Sequence, residues 1–191
     1  MTTEKENFVS YYVLEDESSG IVGGVHEDKP ILANKYARGT FLSENDKPKN
    51  GKIYVEMGPE QYPDYFELQA TPIASNTFIN SLKNAGIDNF QYFPVPIIEK
   101  NRIIESFNIV NYIGRISCLD EIKTECTKFK NKIVRVKSLC IKESNTHNLP
   151  LFRIHEYELL VLINSHVKDH LSGLKGVVLS PAQGWNDRHR F

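Results

Sequence analysis

The apolar positions along the chain fall into two kinds of run. Short runs of β-branched and aromatic residues, bounded by Gly, Pro, Asn or Asp, read as strands. Residues 8–14 (FVSYYVL), 107–119 (FNIVNYIGRISCL), 151–154 (LFRI) and 159–163 (LLVLI) are of this kind, with a short strand expected near residues 65–69. Residues 132–142 (KIVRVKSLCIK) alternate, Ile133, Arg135 and Lys137 on one face and Val134 and Val136 on the other, until a bulge shifts the register near Ser138 and Leu139. A longer period marks two helices. In residues 76–85, Phe78, Ile79 and Leu82 make one apolar face, Ser75 or Asn76 can cap it, and Gly86 follows where a left-handed C-cap is wanted. Val167, Leu171 and Leu174 give the same face to a helix over 165–174, capped by Asn164 or Ser165 and stopped by Gly173 and Gly176.

Each helix is followed by a strand that runs to a proline: residues 89–99 past Pro94 and Pro96, which belong at a sheet edge, and residues 177–181 to Pro181. Two related strand–helix–strand units are therefore expected, around 65–97 and 157–181. Polar stretches separate the rest. EDESSG (15–20) reads as a turn, residues 20–58 as long loops with a strand or two, and DEIKTECTKFKN (120–131) as a polar turn or short helix. The expected fold is α+β: a mixed, largely antiparallel sheet, two main helices and a loop-rich N-terminal part. Residues 1–70 form that part and 71–191 the strand–helix–strand core region, joined in one compact unit.

Composition changes this picture little. A chain of 191 residues with 40% hydrophobic and 25% charged residues is ordinary for a globular protein, and a net charge of −1 points at neither nucleic acid nor membrane. The distribution is uneven: residues 1–70 hold 13 acids and 7 bases, residues 71–191 hold 11 acids and 16 bases. Three cysteines, Cys118, Cys126 and Cys140, lack the spacing of a disulfide framework or zinc ribbon. The N-terminus MTTEKENF has no apolar signal-like core, and no apolar run reaches membrane-spanning length, so the expected compartment is the cytoplasm.

Candidate chemistry is sparse. His166 and His170 stand four apart on the second helix, but HVKDH has valine where a zinc protease needs its glutamate, so no metal is expected. The glycines of Gly20-Ile-Val-Gly23-Gly24 lack the Gly-Lys-Ser/Thr end of a phosphate loop and read as a turn between strands. Cys118 with Asp120 and His147 or His155 would be a nucleophile, orienter and base, yet Cys118 sits in an apolar strand pattern where a thiol is inert. On a strand, Glu156 and Glu158 would share one exposed face. Tyr54, Tyr62, Tyr65 and Tyr92 lie close to acids. That suits a protein interface, where rigid rings bury area at small entropy cost; nucleic-acid surfaces interleave aromatics with bases. The contact candidates are Glu15, Asp16 and Glu17, acids at 27–28, and Glu56, Glu60, Tyr62, Asp64 and Tyr65.

The succession NFQYFPVPI, Asn111-Tyr112-Ile113, Ser117-Cys118-Leu119-Asp120, Leu151-Phe152-Arg153-Ile154 and Gly173-Leu174-Lys175-Gly176-Val177 resembles the bacterial immunity protein family eleven of polymorphic-toxin systems, over residues 75–181. The resemblance implies a cytoplasmic antitoxin that binds a cognate toxin protein, performs no reaction and takes no cofactor. It also implies fold-forming roles for Phe93, Leu151, Phe152 and Leu179, for the glycines at 86, 173 and 176, and for Arg153 paired with an internal carboxylate. The rival expectation is a small hydrolase or transferase with a Cys118 or His155 site.

Overall fold

The computed structural model describes residues 10–17, 20–27 and 35–187. The expectations that fall on Phe8, Val9 and the N-terminal MTTEKENF, on Ser18 and Ser19, and on Asp28 lie outside these residues. In chain order the strands and helices are β1 (Tyr11–Asp16), β2 (Val22–His26), β3 (Lys52–Met57), β4 (Tyr65–Leu68), β5 (Thr71–Ser75), α1 (Asn76–Asn84), β6 (Phe90–Pro94), β7 (Ile97–Glu99), β8 (Arg102–Ile104), β9 (Phe107–Tyr112), β10 (Arg115–Ile116), β11 (Glu125–Phe129), β12 (Lys132–Ser138), β13 (Leu151–Ile154), β14 (Val161–Asn164), α2 (Ser165–Leu171) and β15 (Val177–Pro181). The fold is α+β with mixed, largely antiparallel sheets, as the pattern predicts. Among the described residues no helix is long and apolar enough to cross a membrane.

Four sheets run in the orders β4-β5-β9-β6, β10-β13-β14-β1-β15, β2-β3-β7-β8 and β11-β12. The first two contain the expected strand–helix–strand units, and the pairing shows how alike these are. In one, β5 and β6 flank β9, each antiparallel to it, and α1 connects them. In the other, β14 and β15 flank β1 in the same sense, and α2 connects them. An outer strand, β4 or β13, pairs antiparallel with the strand entering each helix. Aligning the N-caps Ser75 and Asn164 superposes the registers. Ile73 pairs with Ile109 as Leu162 pairs with Val13, and Pro94 pairs with Asn108 as Pro181 pairs with Tyr12.

Both helices begin as local chemistry dictates. The Ser75 hydroxyl accepts from the Phe78 N–H at 3.2 Å and the Asn164 amide oxygen from the Val167 N–H at 3.0 Å, each satisfying an otherwise orphaned donor. At the far end of α1, Gly86 takes φ +71°. After α2, Ser172 is already extended, so this helix stops at Leu171, three residues short of the sequence expectation. The two helices pack on each other, and their apolar faces (Phe78, Ile79, Leu82; Val167, Leu171) join the inner faces of both sheets in one central core with Tyr65, Val110, Tyr112, Leu151 and Ile163.

Two further cores lie on the outer faces. Phe66, Leu68, Ile73, Phe107 and Ile109 of the first unit are covered by Ile53, Val55 and Ile97 of the β2-β3-β7-β8 sheet. Phe152, Leu160, Leu162, Tyr11 and Val13 of the second are covered by Ile133 and Val136 of the β11–β12 hairpin and by Trp185.

Several expectations change here. Glu15 and Asp16 belong to β1 and not to a turn, because they pair with Val178 and Val177. Residues 107–119 are two strands, broken at Gly114 (φ +106°). The stretch 120–131 keeps a turn at residues 121–123 and then forms a strand, β11, which pairs with β12 through a two-residue turn at Lys130 and Asn131, both at positive φ. The alternation of β12 is not clean. Register shifts on both sides of the Cys126 and Thr127 pairs bring Ile133 and Val136, three apart, to the same buried side.

Candidate functional site

The residues proposed from sequence for catalysis are not assembled. Cys118 is fully buried, and its thiol is pushed up to about 12, first by burial and second by the Glu156 carboxylate. That is the reverse of the depressed pKa a nucleophilic cysteine needs. The Asp120 Oδ1 accepts from the Ile122 and Lys123 N–H groups and so shapes its own turn. His147 ends a short 3-10 turn in the left-handed region, and both it and His155 are exposed. Residues 155–157 form a 3-10 turn, so Glu156 and Glu158 do not share a strand face. Glu158 pairs with Arg115 at 2.5 Å.

His166 and His170 project from the exposed flank of α2, their rings edge to face with centroids 5.0 Å apart. Among the described residues no group of three His, Cys, Asp or Glu side chains is placed to hold a metal ion. The glycine run is mostly strand: Gly20 turns the chain at φ +64°, while Gly23 and Gly24 lie in β2, where a Cβ on Gly23 would meet the Tyr54 carbonyl oxygen at 2.3 Å. This corrects the reading of the whole run as a turn.

The expected contact residues divide. Tyr65 is buried and stacks on Phe78 at 5.0 Å, and Tyr62 is buried with its hydroxyl donating to the Glu99 Oε2 at 3.2 Å. Neither ring has a face to offer a partner. Burial beside Glu99 pushes the Tyr62 hydroxyl up to about 12. Asp64 accepts from the Ser75 hydroxyl at 2.6 Å and from the Lys175 N–H at 3.1 Å, tying the first unit to the loop of the second. The Glu15 carboxylate accepts from the Trp185 indole at 2.8 Å and the Asp16 carboxylate from the Glu67 N–H at 3.3 Å. Glu27 pairs with Lys35 at 2.7 Å and with the Tyr36 hydroxyl. These carboxylates satisfy donors within the fold. Glu17, Glu56 and Glu60 are exposed.

Arg153, buried at the seam between the units, donates from Nη2 to the Tyr36 carbonyl at 3.0 Å and from Nη1 to the Glu158 carbonyl at 2.8 Å, and lies over the Tyr112 ring. Its geometry is that of a structural tie between the 3-10 turns around Tyr36 and His155.

One surface unites exposed acid with exposed apolar area. In the β2-β3-β7-β8 sheet the inner residues Ile53, Val55 and Ile97 serve the core, while a row crosses the other face strand by strand: Gly24 against Tyr54, Tyr54 against Ile98, Ile98 against Ile103. Ile103 is 67% and Met57 60% exposed. Lys52, Tyr54 and Glu56 alternate outward along β3. Gly24 leaves the Tyr54 ring open on that side, and His26 packs edge to face against the ring at 5.0 Å. Beside this pair lies a hollow of about 520 Å³, lined by His26, Glu27, Asn50, Gly51, Lys52, Tyr54 and Pro96. Sequence reasoning marked Glu56 and noted Tyr54. It missed Ile103 and Met57, because a single exposed aliphatic looks like any core residue until its neighbours across the sheet are known. An exposed row of this kind, charged at its margins, has the make-up of a protein-docking face. Set against models of known protein families the chain matches none, and no curated protein matches it.

Proposed function

We propose that the protein is an immunity protein that binds and neutralises a cognate bacterial toxin domain, with the outer face of the β2-β3-β7-β8 sheet as its docking surface. The observation that carries the reading is the Tyr54–Ile98–Ile103 row with Met57 and Glu56 beside it. Rigid aromatic and aliphatic side chains on a sheet lose little entropy on binding, and the adjacent hollow can seat one anchoring side chain of the partner. Exposed Glu56, with Glu60 beyond the end of β3, adds electrostatic steering. The order of short motifs over residues 75–181 supports the same reading. Inhibition here is steric: the face covers the toxin and no bond is made or broken.

The test is co-expression with the product of the adjacent gene. A stable complex that restores growth is expected, and Tyr54→Ala with Ile103→Asp should abolish rescue while the protein stays folded. Rescue that survives both changes but is lost on Cys118→Ala or His155→Ala in a folded protein would overturn the reading in favour of an enzyme.

A further inference from the structure

The β11–β12 hairpin is a second surface, and its chemistry differs from the first. Its inner side sends Ile133, Val136 and Cys126 into the core around Phe152. Its end stands clear, since residues 127–132 are all exposed. The stretch Lys128-Phe129-Lys130-Asn131-Lys132 places a ring 64% exposed among three lysines, and the Lys130 ammonium lies 5.5 Å from the centroid of that ring. Phe129 and Lys132 pair across the turn and so share one face. Lys128 pairs with Ile133 and so lies on the other face, where it meets Glu121 at 3.6 Å. The whole-chain charge of −1 hides this local basic patch.

We propose that the end of this hairpin binds single-stranded nucleic acid, with a base stacked on Phe129 and the flanking phosphates on Lys130 and Lys132. Aromatic surface interleaved with bases is the composition single-strand sites use, because every base offers a π-face and every linkage a charge. An acidic peptide satisfies the lysines and leaves the ring idle. A duplex supplies phosphates but keeps its base faces stacked. An anionic membrane needs a second strong anchor beside a basic patch, and a single ring at the turn supplies little.

The experiment is a titration of the full chain into a fluorescein-labelled oligothymidylate of about 12 nucleotides, followed by anisotropy at several salt concentrations. Saturable binding is expected, with Phe129→Leu, which keeps apolar area but cannot stack, weakening it about tenfold, and Phe129→Trp preserving it. Removing Lys130 and Lys132 together should lower the salt slope by about 0.7 for each lysine. All these side chains are solvent-exposed, so thermal unfolding of the variants should match the parent. The proposal is overturned if no saturable binding occurs, or if Phe129→Leu binds as the parent does. It is overturned equally if a duplex of the same length, polyglutamate or phosphatidylserine vesicles bind as tightly as the single strand.

Discussion

The two strand–helix–strand units share one frame and wear different coverings. In each, an antiparallel pair leads into a capped helix, and the returning strand lies across a central antiparallel strand. They face each other reciprocally: β1 abuts β4, and β9 abuts β13. Glu67 and Arg153 occupy matching positions of β4 and β13, so the seam brings opposite charges to equivalent places in the frame. The differences lie in helix length, nine residues against seven, and in what covers the outer faces. A four-stranded sheet with an apolar outer row covers the first unit, and a basic hairpin the second. The lesson is that the duplicated frame supplies stability while each added layer presents its own surface, so the two proposed activities are separable by mutation.

The largest expected asymmetry is at the glycines. Gly86 and Gly176 both stand in the loop between helix and returning strand at positive φ, but a Cβ on Gly86 would meet nothing, whereas one on Gly176 would meet the Tyr65 carbonyl oxygen at 2.4 Å and Pro63 Cβ at 2.5 Å. Gly86→Ala should cost about 1 kcal/mol from backbone strain alone, and Gly176→Ala about 4 kcal/mol or more, with urea unfolding as the measure. Equal losses would break the distinction between the two loops.

Next come the helix anchors. Phe78 and Val167 occupy the same place after their caps, both fully buried. Phe78→Ala should cost about 3–5 kcal/mol, and Val167→Ala less, in proportion to the smaller void. At the caps, Ser75→Ala and Asn164→Ala should each cost about 1 kcal/mol, Ser75 the more because its hydroxyl also donates to Asp64.

The outer cores can be compared by alkaline titration. Cys118 on the second unit's side and Tyr62 on the first's are each held up to about 12, from ordinary values of 9.0 and 10.0. Folding therefore favours their neutral forms. Their stabilisation is complete below pH 9 and pH 10 respectively and is lost as pH rises through about 12. Cys118→Ala should make the fall in stability above pH 9 shallower, and Tyr62→Phe should do so only above pH 10, as seen in chemical denaturation at stepped pH. The smallest effect is expected at Ala70, a non-glycine residue at φ +63° in the β4–β5 turn, where Ala70→Gly should stabilise by about 0.5 kcal/mol in urea unfolding, since relief of strain outweighs the freedom glycine adds to the unfolded chain.

Those features that depend on neighbours in sequence were legible. Ser75, Asn164 and the two apolar helix faces needed only local spacing, and both units follow from them. The strand β11 was not legible because its residues are nearly all solvated, and its partner's two bulges replace a period of two by a spacing of three between Ile133 and Val136. The internal bonds of the acids were not legible for a related reason. Glu15, Asp16 and Asp64 look like surface charges, yet each receives a donor from a distant segment, and only the folded chain supplies Trp185, Glu67 or Lys175. Tyr62 and Tyr65 likewise sit among prolines and acids in sequence and among phenylalanines in space.

The placement of β1 governs how the molecule comes together. The first unit is contiguous, β4 through β9, and can close as soon as residue 112 is free to fold. The sheet of the second unit must wait, because Leu14 pairs with Val161 and Leu179, about 150 residues further along the chain. Such distant pairing closes a long loop late and slows the final step. The expected order is thus an early half assembled on its own and a late half completed when β1 is captured between two strands from the far side of the sequence.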